Sequence, residues 1–101
     1  MVYNLVISSF AQQDTYDAFE WYELQRSGLG EELLKELELA YCKIAAHPEH
    51  YGFIDGRKDL RDFLLRRFPF LIVYRIKGNL IDVVAVHHAK KHPLKKRGSN
   101  I

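Results

Sequence analysis

Residues 70–88 read Phe70-Leu71-Ile72-Val73-Tyr74-Arg75-Ile76-Lys77-Gly78-Asn79-Leu80-Ile81-Asp82-Val83-Val84-Ala85-Val86-His87-His88. β-branched and aromatic residues dominate both halves, and Gly78-Asn79 between them fits a two-residue hairpin turn with glycine at its first central position. A hairpin is predicted, with strands over 70–77 and 80–88. The turn sets a register in which Lys77 lies opposite Leu80, Arg75 opposite Asp82, Val73 opposite Val84 and Leu71 opposite Val86. Residues 60–67 supply a further strand. Phe68-Pro69 turns it, at a place where a proline harms no ladder, and closing that turn sets Arg66 opposite Leu71.

Alternation then sorts the side chains. One face is expected to hold Phe63, Leu65, Phe70, Ile72, Tyr74, Ile76, Ile81, Val83, Ala85 and His87, nearly all apolar, and to lie under helices. The other is expected to hold Asp62, Leu64, Arg66, Leu71, Val73, Arg75, Asp82, Val84, Val86 and His88. That mixture of aliphatics and charges suits a partly open antiparallel face.

Upstream, residues 3–8 are apolar and β-branched enough for a first strand. Ser9 precedes Gln12 by three, a helix-start signature. Ala11, Ala18, Phe19 and Tyr22 then share one helical face, while Asp14, Asp17, Glu20 and Glu23 take much of the rest. Ser27-Gly28-Leu29-Gly30 interrupts the pattern. A second helix from about Glu31 repeats Leu33, Leu34, Leu37, Ala40, Tyr41, Ile44 and Ala45, and Pro48 ends it. Two helices joined so tightly pack as an antiparallel hairpin. The fold class is α+β, in the order β-α-α-β-β-β, with an antiparallel sheet packed on a two-helix hairpin. One domain is expected over residues 1–93, followed by a basic tail over 94–101.

The chain has 101 residues, which fits one domain, and its 48% hydrophobic content argues against disorder. Cys42 is the sole cysteine, which excludes an intrachain disulfide and a metal site built on cysteine pairs. In its helical pattern Cys42 reads as a small buried residue. His47, His50, His87, His88 and His92 offer no zinc spacing with a third ligand, so no metal and no cofactor is expected. The acids lie mainly on the helices, which leaves a two-carboxylate glycosidase unsupported. No phosphate-binding glycine loop and no Gly-x-Ser-x-Gly elbow is present. Residues 1–8 show no basic leader, and no apolar run is long enough for a membrane span, so the expected compartment is the cytoplasm.

Charge is divided unevenly. Residues 1–50 carry nine acids and three bases, and residues 51–101 carry four acids and twelve bases. Such asymmetry suits an anionic partner, nucleic acid or an acidic protein segment, although helices often simply carry solvated acids. Arg75 beside Asp82 reads as a cross-strand ion pair. Arg66 lacks an acidic neighbour on its face and falls at the same end as His88. It reads either as a solvated strand-end arginine or as a site residue. Leu64, Leu71, Val73, Val84 and Val86 form an exposed aliphatic block on the open face, of the kind that marks a partner surface. The alternative partner surface is the helical hairpin.

Several segments in series resemble one family. Ala18-Phe19-Glu20-Trp21-Tyr22-Glu23, Ser27-Gly28-Leu29-Gly30 and the leucine-rich helix closed by His47-Pro48 resemble the first half of the RelE/ParE toxin superfamily. Arg66-Arg67-Phe68-Pro69-Phe70-Leu71-Ile72-Val73-Tyr74-Arg75 and Val84-Ala85-Val86-His87-His88-Ala89-Lys90-Lys91-His92-Pro93 resemble its second half, and the ParE-like plasmid-stabilisation branch looks most similar. The resemblance implies the toxin of a type II toxin–antitoxin module, a cognate antitoxin protein as partner, and a toxin–antitoxin hetero-oligomer as the assembly. It implies one of two targets. ParE-like members poison DNA gyrase without cutting chemistry. RelE-like members cut messenger RNA in the ribosome, which needs a general base, a general acid and cations. For a ribonuclease the matching residues are Arg66, His88 as acid or base, and Lys91. For target binding they are Arg66, Arg75, His88, Lys90 and Lys91. The tail carries Lys95, Lys96 and Arg97 where some RelE-like members have a catalytic tyrosine, which leans the reading toward gyrase. An orphan member without toxicity is the third alternative.

Overall fold

A computed structural model describes residues 2–90. Its elements run β1 (Asn4–Ile7), α1 (Ser9–Gln25), α2 (Leu29–Ala46), a 3-10 turn (Pro48–His50), β2 (Arg61–Leu64), β3 (Phe70–Lys77) and β4 (Leu80–His88). The order β-α-α-β-β-β stands, with the two helices on one face of a four-stranded sheet of strand order β1-β4-β3-β2. β2, β3 and β4 are antiparallel as read, whereas β1 joins the edge parallel to β4, so the sheet is mixed.

α1 is capped one residue earlier than its pattern indicates. The Ser8 side chain accepts from Ala11 N (3.1 Å), while its own hydroxyl donates to Val84 O (3.2 Å) and its amide donates to Val83 O (3.0 Å). One residue thus ends β1, starts α1 and ties both to β4. α2 begins two residues earlier than expected, because Gly28 takes a φ of +92° and the Glu23 carboxylate of α1 accepts from Gly28 N (3.0 Å) and Gly30 N (2.8 Å). An anion at a helix N-terminus satisfies amides that have no intrahelical acceptor. Leu33, Leu37, Ala40 and Ile44 form the buried stripe of α2. Cys42 lies on the opposite side and is exposed, contrary to the buried role expected of it.

The main core joins that stripe to Ala11 and Ala18 of α1 and to Phe70, Ile72, Tyr74, Ile81, Val83 and Val86 of the sheet. Tyr74 is fully buried and its hydroxyl donates to Pro48 O at 2.7 Å.

The hairpin register holds from Lys77↔Leu80 to Tyr74↔Val83 and then slips: Val73 pairs with Ala85, Ile72 with Val86, Leu71 with His87 and Phe70 with His88. Val84 is the extra residue of a β-bulge. Beyond it every side chain of β4 changes face. Val86 therefore packs into the helix-side core (3% exposed), and Ala85 takes the other side. His87 and His88 exchange faces as well. Burying Val86 instead of Ala85 against α1 removes more apolar surface from water, which favours the slip.

At the preceding turn Leu64, not Arg66, pairs with Leu71. Leu65 and Phe68 of that turn are buried in the main core, and the turn is two residues longer than expected, both on the β2 side.

The second face is also less open than alternation implies. Ile54 and Leu60, on the connection before β2, pack with Val73, Val84 and Ala85 in a small second core. Arg61 holds the connection by donating to Tyr51 O (2.6 Å) and Glu49 O (3.2 Å) and by stacking over the Phe53 ring at 4.0 Å. Beside it Asp62 pairs with Val73, and burial raises its carboxyl above the ordinary value of 3.8, opposed by a backbone hydrogen bond. A carboxyl raised by folding favours the folded state most when protonated. That contribution is complete below the unfolded value and is lost as pH rises through the raised one. Asp62→Asn is therefore expected to raise Tm at neutral pH, with the gain fading below about pH 3.8; thermal melts across pH check it, and a neutral-pH loss would contradict it.

Candidate functional site

The turn at residues 65–69 and the end of β4 meet at one end of the sheet, where Ala89 N donates to Pro69 O (2.6 Å). This end gathers Arg66, Arg67, His88 and Lys90. Two carboxylates of α2 organise it. Glu36 Oε2 accepts from the backbone of Arg66 (2.6 Å) and of Arg67 (3.0 Å). Glu32 takes the Arg67 guanidinium at 2.6 Å, and its carboxyl is held below its ordinary range, first by that hydrogen bond. The two adjacent arginines thus differ. Arg67 is matched by Glu32 and also lies over the Phe68 ring. The Arg66 side chain is exposed and has no ion-pair or hydrogen-bond partner among the described residues.

His88 stands on the helix side, opposite Phe70, with the two rings edge to face at 5.1 Å. Its Nδ1 accepts from the amide of Lys90 (3.2 Å), so a neutral ring carries its proton on Nε2. The expectation that His88 sits on the open face is corrected by the bulge. His87 takes that face instead and is only 7% exposed. Arg75 lies at the other end of the hairpin, its Nε 3.1 Å from Asp82 Oδ2, in the ion pair that the sequence indicated. Lys91, and with it the 94–101 tail, falls outside the described residues.

The five aliphatics expected as an exposed block do not form one. Leu64 is 58% exposed, and Leu71 and Val84 are half-buried. Val73 is 1% exposed, beneath the connection before β2, and Val86 is in the helix-side core. Exposed apolar surface is concentrated on the helices instead: Phe10, Trp21 and Leu24 of α1 and Leu39 of α2. The sequence carried this signal, since these residues are apolar yet lie off the stripes that bury Ala11, Ala18, Leu33 and Leu37. Leu39 also lines a groove of about 580 Å³ between α2 and the β2–β3 turn, together with Phe63 and Leu65, the bases Lys35, Lys43, Arg66 and Arg67 and the acids Glu32 and Glu36. Among the described residues no helix is long and apolar enough to cross a membrane. No three His, Cys, Asp or Glu side chains among them are grouped to hold a metal ion.

Residues 5–93 match the family model described as ParE toxin of type II toxin-antitoxin system, parDE. Among solved structures, the chromosomal ParDE toxin–antitoxin system from P. aeruginosa is similar, with a TM-score of 0.77 and 16% identity over 86% of this chain and 96% of that one. A mutant of E. coli toxin RelE in the free state is similar with a TM-score of 0.57 and 19% identity, over 99% of this chain and 97% of that one. At these identities the likeness is one of fold. A search of curated proteins gives no match.

Proposed function

We propose, proceeding from a chain that belongs to the ParE toxin family of the type II toxin–antitoxin system parDE, that it arrests growth in the cytoplasm by binding DNA gyrase through the cationic end of its sheet. Arg66 makes the principal contact, with Lys90 and Lys91 adding charge and His88 shaping the rim. The observation that carries this reading is the state of the two groups that a ribonuclease would need. Arg66 presents to solvent a charge unmatched among the described residues, as a binding contact requires. The His88 ring is packed on Phe70 with Nδ1 engaged by a backbone amide, and cleavage needs both a proton acceptor and a proton donor in place.

The cognate antitoxin neutralises the chain by covering the exposed apolar residues of the helical hairpin. The groove beside Leu39, where bases outnumber the acids Glu32 and Glu36, suits an amphipathic acidic segment that also masks Arg66. Leu64, Leu71 and Val84 add a smaller contact on the far face.

The test uses the purified chain freed of antitoxin, in a gyrase supercoiling assay and beside it an assay of message integrity on translating ribosomes. Supercoiling is expected to stop with message intact. Arg66→Ala is expected to weaken inhibition by about tenfold or more, the worth of one charged hydrogen bond. Message cut by the wild type but not by His88→Ala or Arg66→Ala would replace this reading with the ribonuclease one.

A further inference from the structure

We propose that Glu36 is the positioning residue of this site: from α2 it sets the direction in which Arg66 is presented. The inference rests on the reading that Arg66 contacts the target. Glu36 lies 30 residues from Arg66 in sequence, yet one of its oxygens accepts two successive backbone amides, Arg66 N at 2.6 Å and Arg67 N at 3.0 Å. Consecutive amides converging on one anion form a small concave seat whose shape the anion holds. Bonds to an ionised acceptor are the stronger kind. The turn's other backbone hydrogen bonds, Leu65 N to Phe70 O, Phe70 N to Phe68 O and Ala89 N to Pro69 O, lie at its base and toward β4 and leave the Arg66 and Arg67 amides to Glu36.

The consequence is a division of labour between neighbouring arginines. Glu36 grips the backbone of both. Glu32, one helical turn earlier, takes the Arg67 guanidinium and also meets Arg26 at 3.4 Å. With Arg67 drawn back against α2, the fixed apex directs Arg66 outward. Without Glu36 the two amides turn to water, the apex samples several conformations, and Arg66 must be ordered when the target binds. Ordering one long side chain costs a binding partner about two- to tenfold in affinity. Glu36 itself touches no target in this scheme.

A double-mutant cycle tests it, read as growth arrest at matched expression together with the Tm of each purified chain. Glu36→Ala is expected to lower potency about two- to tenfold in the wild-type background and to have no further effect in Arg66→Ala. Glu36→Gln, which keeps an acceptor oxygen, is expected to restore most of the loss. If Glu36→Ala does not fold, Glu36→Asp, which keeps the charge on a shorter arm, carries the same cycle. An equal loss in both backgrounds would make Glu36 merely structural and overturn the inference. So would full potency of Glu36→Ala where Arg66→Ala is weak. Full potency of Arg66→Ala, or a wild-type chain that does not arrest growth, would overturn the target-contact reading and the inference with it.

Discussion

Gly30→Ala is expected to destabilise the chain by about 2 kcal/mol, although alanine is the better helix former by about 1 kcal/mol. Gly30 lies in the first turn of α2 where α1 crosses closest. A Cβ there would stand 2.8 Å from the carbonyl oxygen of Phe19, 2.7 Å from Phe19 Cδ1 and 2.8 Å from Glu23 Cγ. The ring can turn aside, but the carbonyl belongs to α1 and moves only if the helices part. Glu23 is the residue whose carboxylate receives the Gly28 and Gly30 amides, so pushing it away also uncaps α2. Overpacking and a lost cap together outweigh the gain in propensity. For a domain of this size the change should lower Tm by about 10 °C. Gly52→Ala is the control, since nothing lies within 4 Å of a Cβ there. A Gly30→Ala chain that melts at or above the wild-type temperature would show that the hairpin adjusts without cost.

Val86→Asp is expected to cost about 3–5 kcal/mol, a large share of the stability of a small domain, whereas Leu64→Asp should stay within about 1 kcal/mol. Plain alternation through β4 gives the two positions the same exposure. The bulge at Val84 separates them, leaving Val86 3% exposed under α1 and Leu64 58% exposed. An acid at position 86 would be desolvated, and it would stand beside Asp14, whose carboxylate accepts from the Val86 amide at 3.0 Å. Like charges and burial act in the same direction. Denaturant melts of both variants decide the matter: equal, small losses would mean that β4 runs without the bulge in solution.

The proposed antitoxin and target surfaces show where sequence reading holds and where it stops. Arg75 with Asp82 was legible because the pair lies near the hairpin turn, before any irregularity can accumulate. His88 and Val86 were misplaced because they lie beyond one. Arg66 stands out by its lack of an acidic neighbour on the sheet, and its guanidinium has no partner among the described residues. The acid that grips its backbone, Glu36, comes from a helix and was invisible among the other glutamates of α2.

What the sequence alone determined is the succession of elements and their inward stripes. Period-two and period-3.6 patterns are local, and glycine and proline punctuate them, so two helices and three antiparallel strands followed directly. Tertiary structure alone decided the rest. It set β1 parallel to β4, tied Ser8 to Val83 and Val84, inserted the extra residue at Val84 and brought Glu36 to the Arg66 turn. Each of these is a contact between distant segments, chosen by how much apolar surface and how many backbone groups the whole assembly satisfies, and no local pattern encodes that sum.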